Sequence, residues 1–360
     1  MSENVARLVL DDGTVFAGKS FGFEGASAGE LVFNTAMNGY PESLTDPSYR
    51  GQILVATFPL IGNYGVPADV VDGGLHQNWE SGQVHIKGLV VSEYSQAFSH
   101  WNASMSLSQW LVDNRIPAIT GVDTRAITAY IREKGAMLAK IVVGDTDTDW
   151  YNPNADDLVA QVTTKQKQEL GNGKYRIVLV DCGVKHNIAR CLLRRDTTVV
   201  WVPYNYDYSN ESFDGVFISN GPGDPTRNTD TIEILKKVMD TQVPIMGICL
   251  GNQLMALATG AKTYKLPYGH RSHNQPVLLE GTDRCFITSQ NHGYAIDMST
   301  LADKWKVLFR NANDGTCEGI EHAEKPHFAV QFHPEASGGP TDTEFLFDRF
   351  IDSVKQSKDK

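Results

Sequence analysis

The sequence predicts an α/β protein in two parts: an open α/β domain with a nucleophile elbow, preceded by a β-rich α+β domain. Three observations carry this. From Tyr175 onward, short apolar runs alternate with helical stretches, the pattern of a largely parallel sheet covered on both faces. The run Val243–Ile248 ends at Gly247-Ile248-Cys249-Leu250-Gly251, and a helix-forming stretch, 252–258, follows at once. Strand, tight turn and helix of this kind lift one side chain out of the chain's path. Before residue 145 the pattern is different, with short strands, tight turns and few helices.

The first domain is expected over 1–145. Residues 5–10 alternate as a strand, turn at Asp11-Asp12-Gly13 and pair with 14–17. Residues 53–58 and 88–92 read as further strands, and Asp46-Pro47-Ser48 as a turn. Ser106-Leu107-Ser108-Gln109 fits a capping box opening a helix to Asn114. Asp123 and Thr124 cap a second helix, which Gly135 stops. The polar, turn-rich stretch 146–173 reads as a linker. The second domain, 174–360, has strands at 176–181, 197–202 and 215–219, and helices at 185–195 and 231–239. After the elbow come short strands at 275–279, 282–289, 305–310, 319–321 and 328–331, then a helix at 342–354.

Composition narrows the function. A net charge of −11 argues against nucleic acid or an anionic membrane as the main partner. The five cysteines, 182, 191, 249, 285 and 317, include no Cys-x-x-Cys pair, which points to reduced thiols in a cytoplasmic compartment. No signal peptide is evident, and no apolar run approaches the roughly 18 residues of a membrane span. His270 and His273 are three apart, but with no further ligand in view the reading is no metal. The Gly-Pro-Gly turn lacks the Lys and Ser/Thr of a phosphate loop.

The chemistry gathers on Cys249. A thiol at a helix N-terminus sees the positive end of the dipole, which favours the thiolate. A nucleophile also needs a base, and the base an orienting group. Residues 328–335 form a strand ending in His333-Pro334-Glu335, at the sheet edge where α/β sites form. Extended residues i and i+2 share a side, so Glu335 is expected beside His333. Leu250 supplies one oxyanion N–H, and the turn Ser219–Pro225 exposes others. His292 reads as structural.

The segments FISNGPGDP (217–225), GICLGNQLMALATGA (247–261), SQNHGYAI (289–296) and QFHPEASGGP (331–340) resemble the class I glutamine amidotransferase family. Residues 31–67 and 122–136 resemble the N-terminal domain of the small, glutamine-hydrolysing subunit of carbamoyl phosphate synthetase. This resemblance implies a class I amidotransferase domain behind a domain that contacts a large subunit. It implies hydrolysis of L-glutamine through a thioester on Cys249, with His333 as acid and base and Glu335 orienting it. Leu250 and Gly221 are implied as oxyanion donors. Ser48, Gly221, Gly223, Leu250, Gln253, Asn291, Gly293 and Tyr294 are implied to hold glutamine. The implied partner is a large ATP-dependent subunit, in a heterodimer or higher oligomer, to which ammonia passes. ATP, Mg and bicarbonate belong to that partner, and no cofactor is expected in this chain. Tyr294 stands where the family often has Phe, and 270–274 is less glycine-rich than the family pattern. Another class I amidotransferase or a γ-glutamyl hydrolase stays open, though the first half argues against both. So does a catalytically silent regulatory partner, which the intact Cys/His/Glu set disfavours.

Overall fold

The computed structural model describes residues 5–359, so residues 1–4 and 360 of the expected domains lie outside it. The chain divides into two compact units. One runs to Val71 and resumes over His76–Asp156; the other takes Asp72–Leu75 and everything from Asp157.

The first unit is built on a closed seven-stranded barrel of β1 (Val5–Leu10), β2 (Val15–Ser20), β3 (Ser27–Asn34), β4 (Gln52–Ile61), β5 (Gly88–Tyr94), β6 (Ala118–Thr120) and β7 (Met137–Val143). The order is β1-β7-β3-β4-β5-β6-β2. Ala6, Leu8 and Leu10 are buried while Val5 is exposed, so the period-2 pattern of β1 puts one face inward. Helix α1 (Tyr40–Thr45) adds Tyr40 and Leu44 to the core, and strands β4 and β5 are buried on both faces. Ile53, Val55 and Val90 point one way, and Leu54, Leu89 and Val91 join Leu107, Trp110 and Leu111 of α2 (Leu107–Asp113). Ser106 caps α2 through the Gln109 N–H, and Asp123 caps α3 (Thr124–Lys134) through two N–H groups. Gly135, at φ 92°, ends α3. Barrel closure was not foreseen from the sequence.

The second unit is a ten-stranded sheet. Its strands are β8 (Gln168–Leu170), β9 (Tyr175–Asp181), β10 (Thr197–Pro203), β11 (Gly215–Ile218), β12 (Ile245–Ile248), β13 (Lys262–Leu279), β14 (Cys285–Asp297), β15 (Trp305–Asn311), β16 (Cys317–His322) and β17 (His327–Val330). The order is β8-β10-β9-β11-β12-β17-β16-β15-β13-β14. The pairs joining β10, β9, β11, β12 and β17 are parallel and the rest antiparallel. The parallel half matches the expectation. The other half corrects it, because β13 and β14 form one long hairpin with two register shifts, near 265–270 and 272–275, in place of short strands. The stretch read as a linker has structure of its own: α4 (Leu158–Val162) and edge strand β8 both fall within 146–173.

Alternation along the parallel strands covers both faces. Ile177, Leu179, Phe217, Met246, Ile248, Phe328 and Val330 pack with α5 (His186–Leu193) and α8 (Phe345–Lys358). Val178, Val180, Val216, Ile218, Ile245 and Ala329 pack with α6 (Thr229–Met239) and α7 (Leu250–Ala258). Each fully buried aliphatic side chain contributes about 1.5–3 kcal/mol, so the two layers hold the strand ends in fixed register. Those ends carry the site. Among the described residues no helix is long and apolar enough to cross a membrane.

Candidate active site

Cys249 joins β12 to α7 with φ 53° and ψ −104°. A non-glycine residue holds this conformation only when its surroundings impose it. Three contacts do so: the Cys249 N–H donates to Val330 O at 2.8 Å, and the Gly251 N–H to Ser219 O at 3.0 Å. The third is close packing at the glycines. A Cβ on Gly251 would lie 2.3 Å from Ile218 O, and one on Gly247 2.8 Å from the Gly251 carbonyl carbon. The two glycines therefore let strand and helix approach until the thiol stands at the first turn of α7. There it meets the dipole's positive end and N–H groups that have no intrahelical acceptor. The thiol is buried and donates to Asn291 O at 3.6 Å.

His333 arrives three residues beyond β17, fixed by its N–H bond to Ser289 O at 2.9 Å. Its Nδ1 lies 2.7 Å from Glu335 Oε1, the pairing expected from the i, i+2 spacing. Its Nε2 is buried without a hydrogen bond. Burial works against a charged His333, but the Glu335 carboxylate and the Cys249 thiol outweigh it and hold the imidazole above its ordinary value. Burial would likewise raise Glu335, yet Lys185 and His333 hold its carboxyl well below the usual range. The arrangement supplies a nucleophile, a ring nitrogen able to carry its proton, and a carboxylate that fixes the ring's other face.

Lys185 is the residue the sequence reading missed. Its buried ammonium donates to Glu335 Oε1 at 3.0 Å and to Ala336 O at 2.7 Å. Asn187 Nδ2 donates to the Glu335 carbonyl. Both residues follow β9, at the same sheet edge as the other site segments. The local cue was partial: 182–185 directly follows an apolar strand, as 219–223 does, but nothing in it marks Lys185.

The expected glutamine-binding residues fall into two groups. Gly221, Gly223, Leu250, Gln253, Asn291, Gly293 and Tyr294 all belong to the second unit. A Cβ on Gly221 would lie 2.0 Å from Cys182 O, and Gly223 adopts φ 85°, so this turn requires glycine at both positions. Asn220 Oδ1 accepts from the Lys185 N–H at 3.0 Å, tying the turn to the segment after β9. Gln253 Nε2 donates to Tyr294 O at 2.9 Å and to Gln331 Oε1 at 3.1 Å, and Asn252 Nδ2 reaches the same Gln331 oxygen at 3.1 Å. These bonds link α7, β14 and the segment leading to His333. Ser48 lies in the barrel unit, buried in a turn where Asp46 Oδ1 accepts its N–H at 2.9 Å.

Residues 178–353 match the family model described as glutamine amidotransferase class-I, the class that this sheet and elbow define. Residues 8–141 match the carbamoyl-phosphate synthase small chain, CPSase domain. The arginine-specific carbamoyl phosphate synthase small chain of Phaeosphaeria nodorum is 50% identical over 98% of this chain and 77% of its own length. That of Neurospora crassa is 51% identical over 98% of this chain and 80% of its own. The multifunctional protein ura1 of Schizosaccharomyces pombe is 47% identical, and this chain spans 17% of it. The chain belongs to the carbamoyl phosphate synthase small-chain family.

Proposed function

We propose that this chain is the cytoplasmic, glutamine-hydrolysing subunit of a carbamoyl phosphate synthase. The observation that carries the reading is the elbow cysteine beside the His333–Glu335 pair. In the first step the Cys249 thiolate attacks the side-chain amide carbon of L-glutamine. The oxyanion forms against the N–H groups of Leu250 and Gly221. The His333 imidazolium gives its proton to the leaving nitrogen, the C–N bond breaks, and ammonia departs from a γ-glutamyl thioester. Water then attacks the thioester as His333 takes its proton. The C–S bond breaks, glutamate leaves, and the thiolate is restored. Glu335 holds the ring through both steps. Gly223, Gln253, Asn291, Gly293 and Tyr294 hold the substrate in this reading.

The ammonia passes to a large ATP-dependent subunit, which joins it to bicarbonate using ATP and Mg. The support for that partner is the barrel unit, which matches the carbamoyl-phosphate synthase small-chain domain. The test is Cys249→Ser assayed with the large subunit. Glutamine-dependent carbamoyl phosphate should vanish while synthesis from added ammonia persists. Glutamine hydrolysis at an unchanged rate in this variant would overturn the reading.

A further inference from the structure

One cluster of ligating side chains lies outside the machinery described so far. His270 on β13, His292 on β14 and Glu318 on β16 each turn one atom toward a common point. His270 Nδ1, His292 Nε2 and a Glu318 carboxylate oxygen lie within 4.8 Å of one another. Glu318 Oε1 is 3.4 Å from the first nitrogen and 3.9 Å from the second. Glu318 and His292 are buried, and the His270 side chain is 11% exposed. The fold thus pairs His270 with His292 and Glu318, not with the His273 that sequence spacing suggested.

The surrounding hydrogen bonds fix which nitrogens keep lone pairs. His270 Nε2 lies 2.8 Å from Asp314 Oδ2, an acceptor, so Nε2–H donates and Nδ1 is the nitrogen turned to Glu318. His292 Nδ1 lies 2.8 Å from Tyr294 O, so Nδ1–H donates and Nε2 is bare. Gln290 Oε1 faces that bare nitrogen at 3.2 Å. The amide cannot be turned round, because Gln290 Nε2 donates to Glu318 Oε2 at 3.0 Å and to Thr288 Oγ1 at 3.2 Å. The Thr288 hydroxyl is itself committed to Gln275 O at 2.8 Å. Two imidazole nitrogens and a carboxylate oxygen, each from a different strand, therefore face one another. A cation placed among the three would meet one ligand atom from each strand at once.

We propose that His270, His292 and Glu318 bind one divalent first-row transition ion, zinc by donor preference. Two imidazoles and one carboxylate are a zinc donor set, whereas magnesium and calcium take oxygen ligands. At bond lengths of about 2.0–2.1 Å, tetrahedral ligands stand about 3.3 Å apart, so the observed spacing closes on an ion with sub-ångström shifts. Asp314 and the Tyr294 carbonyl already hold the outer nitrogen of each ring, as ligating histidines require. The ion's role is structural: it ties three strands and pins 291–294, the segment whose carbonyls receive the Cys249 thiol and the Gln253 amide.

The test uses the full chain carrying Cys249→Ser, which removes the active-site thiol as a competing ligand. After chelator treatment it is titrated with Zn²⁺ and Co²⁺. One ion per chain should remain after gel filtration, by mass spectrometry of the metal. Co²⁺ should give the intense visible bands of a tetrahedral centre, and Zn²⁺ should raise the melting temperature. His270→Asn and Glu318→Gln should each weaken binding by about 100-fold or more, while His273→Asn should not. Should Glu318→Gln fail to fold, the partly exposed His270→Asn carries the test. Failure of the chain to take up stoichiometric Zn²⁺ would overturn the proposal. So would equal binding by His270→Asn.

Discussion

The Lys185 ammonium and the His333 imidazole share one oxygen, Oε1 of Glu335, at 3.0 and 2.7 Å. All three side chains are buried. The carboxylate stays ionised in the interior because two donors meet it. It can orient His333 for the same reason, since a protonated Glu335 would lose its hold on Nδ1. Lys185 is thus a positioning residue: it acts on the histidine through the carboxylate, without facing the thiol.

Removing Lys185 should therefore damage activity through Glu335. In Lys185→Met the carboxylate is left buried beside the histidine alone, and breaking such a pair costs about 3–5 kcal/mol. The Glu335 carboxyl then rises toward the ordinary range, since Lys185 is the largest cause holding it down. The acid limb of the glutaminase pH profile should move to higher pH, and kcat should fall about 100-fold. An unshifted acid limb would show that Lys185 does not act through Glu335.

Glu335→Gln keeps the side-chain shape and removes the charge that holds His333 in its working orientation, so kcat/KM should drop by about 10³-fold or more. It also leaves Lys185 buried without its partner. The double variant Lys185→Met, Glu335→Gln leaves neither charge stranded, so the fall in its urea-unfolding free energy should be well below the sum of the two single losses. Strict additivity would mean the two residues are not energetically coupled.

The elbow makes a sharper steric prediction. In Gly251→Ala the new Cβ starts 2.3 Å from the Ile218 carbonyl oxygen, a backbone atom that cannot swing aside. Overpacking of this kind costs about 1–3 kcal/mol, and here α7 must lift from β11. The melting temperature should fall by several degrees, and hydrolysis should be lost because the thiol moves with the helix. Gly260→Ala is the control. Its Cβ meets nothing within 4 Å, so any loss there reports the cost of its φ of 90° and not a clash. Equal activity in Gly251→Ala and the native chain would refute the steric account.

The grouping of Cys249, His333 and Glu335 was legible because its cues are local, in glycines two residues from the cysteine and in a His-Pro-Glu triplet at a strand end. Lys185 was not, because it is 150 residues from Glu335 and reads as the start of an ordinary helix. The helices and parallel strands followed from apolar periodicity. The β13–β14 hairpin did not, since bulges break its alternation and buried polar residues such as Gln290, Asn291 and His292 point into the fold. Barrel closure depends on pairing β1 with β7, more than a hundred residues on, and no local pattern encodes that.

Histidines held neutral by burial set the acid response of the fold, and His85 and His327 are two of them, with His273 and His292. His85 Nε2 meets Ser81 Oγ at 2.9 Å; the Ser81 hydroxyl donates to Thr45 O, so Nε2–H is the donor and Nδ1 stays bare and buried. Burial lowers His85 to about 3 and His327 to about 4. In the unfolded chain both titrate near 6.5. Below that value the unfolded state takes up protons that the folded state refuses, so stability is full above pH 6.5 and is lost as pH falls. Each group removes about 1.4 kcal/mol per pH unit in that window. His333 has the opposite sign: raised in the fold, its contribution is present below 6.5 and lost as pH rises, which leaves the acid window to the neutral histidines. Urea unfolding between pH 6.5 and 5, above most carboxylate titrations, should lose about 2 kcal/mol for each of His85 and His327. In His85→Gln, whose amide can still donate to Ser81, the barrel unit's share of that slope should disappear. A slope unchanged by the substitution would mean that His85 is protonated in the fold.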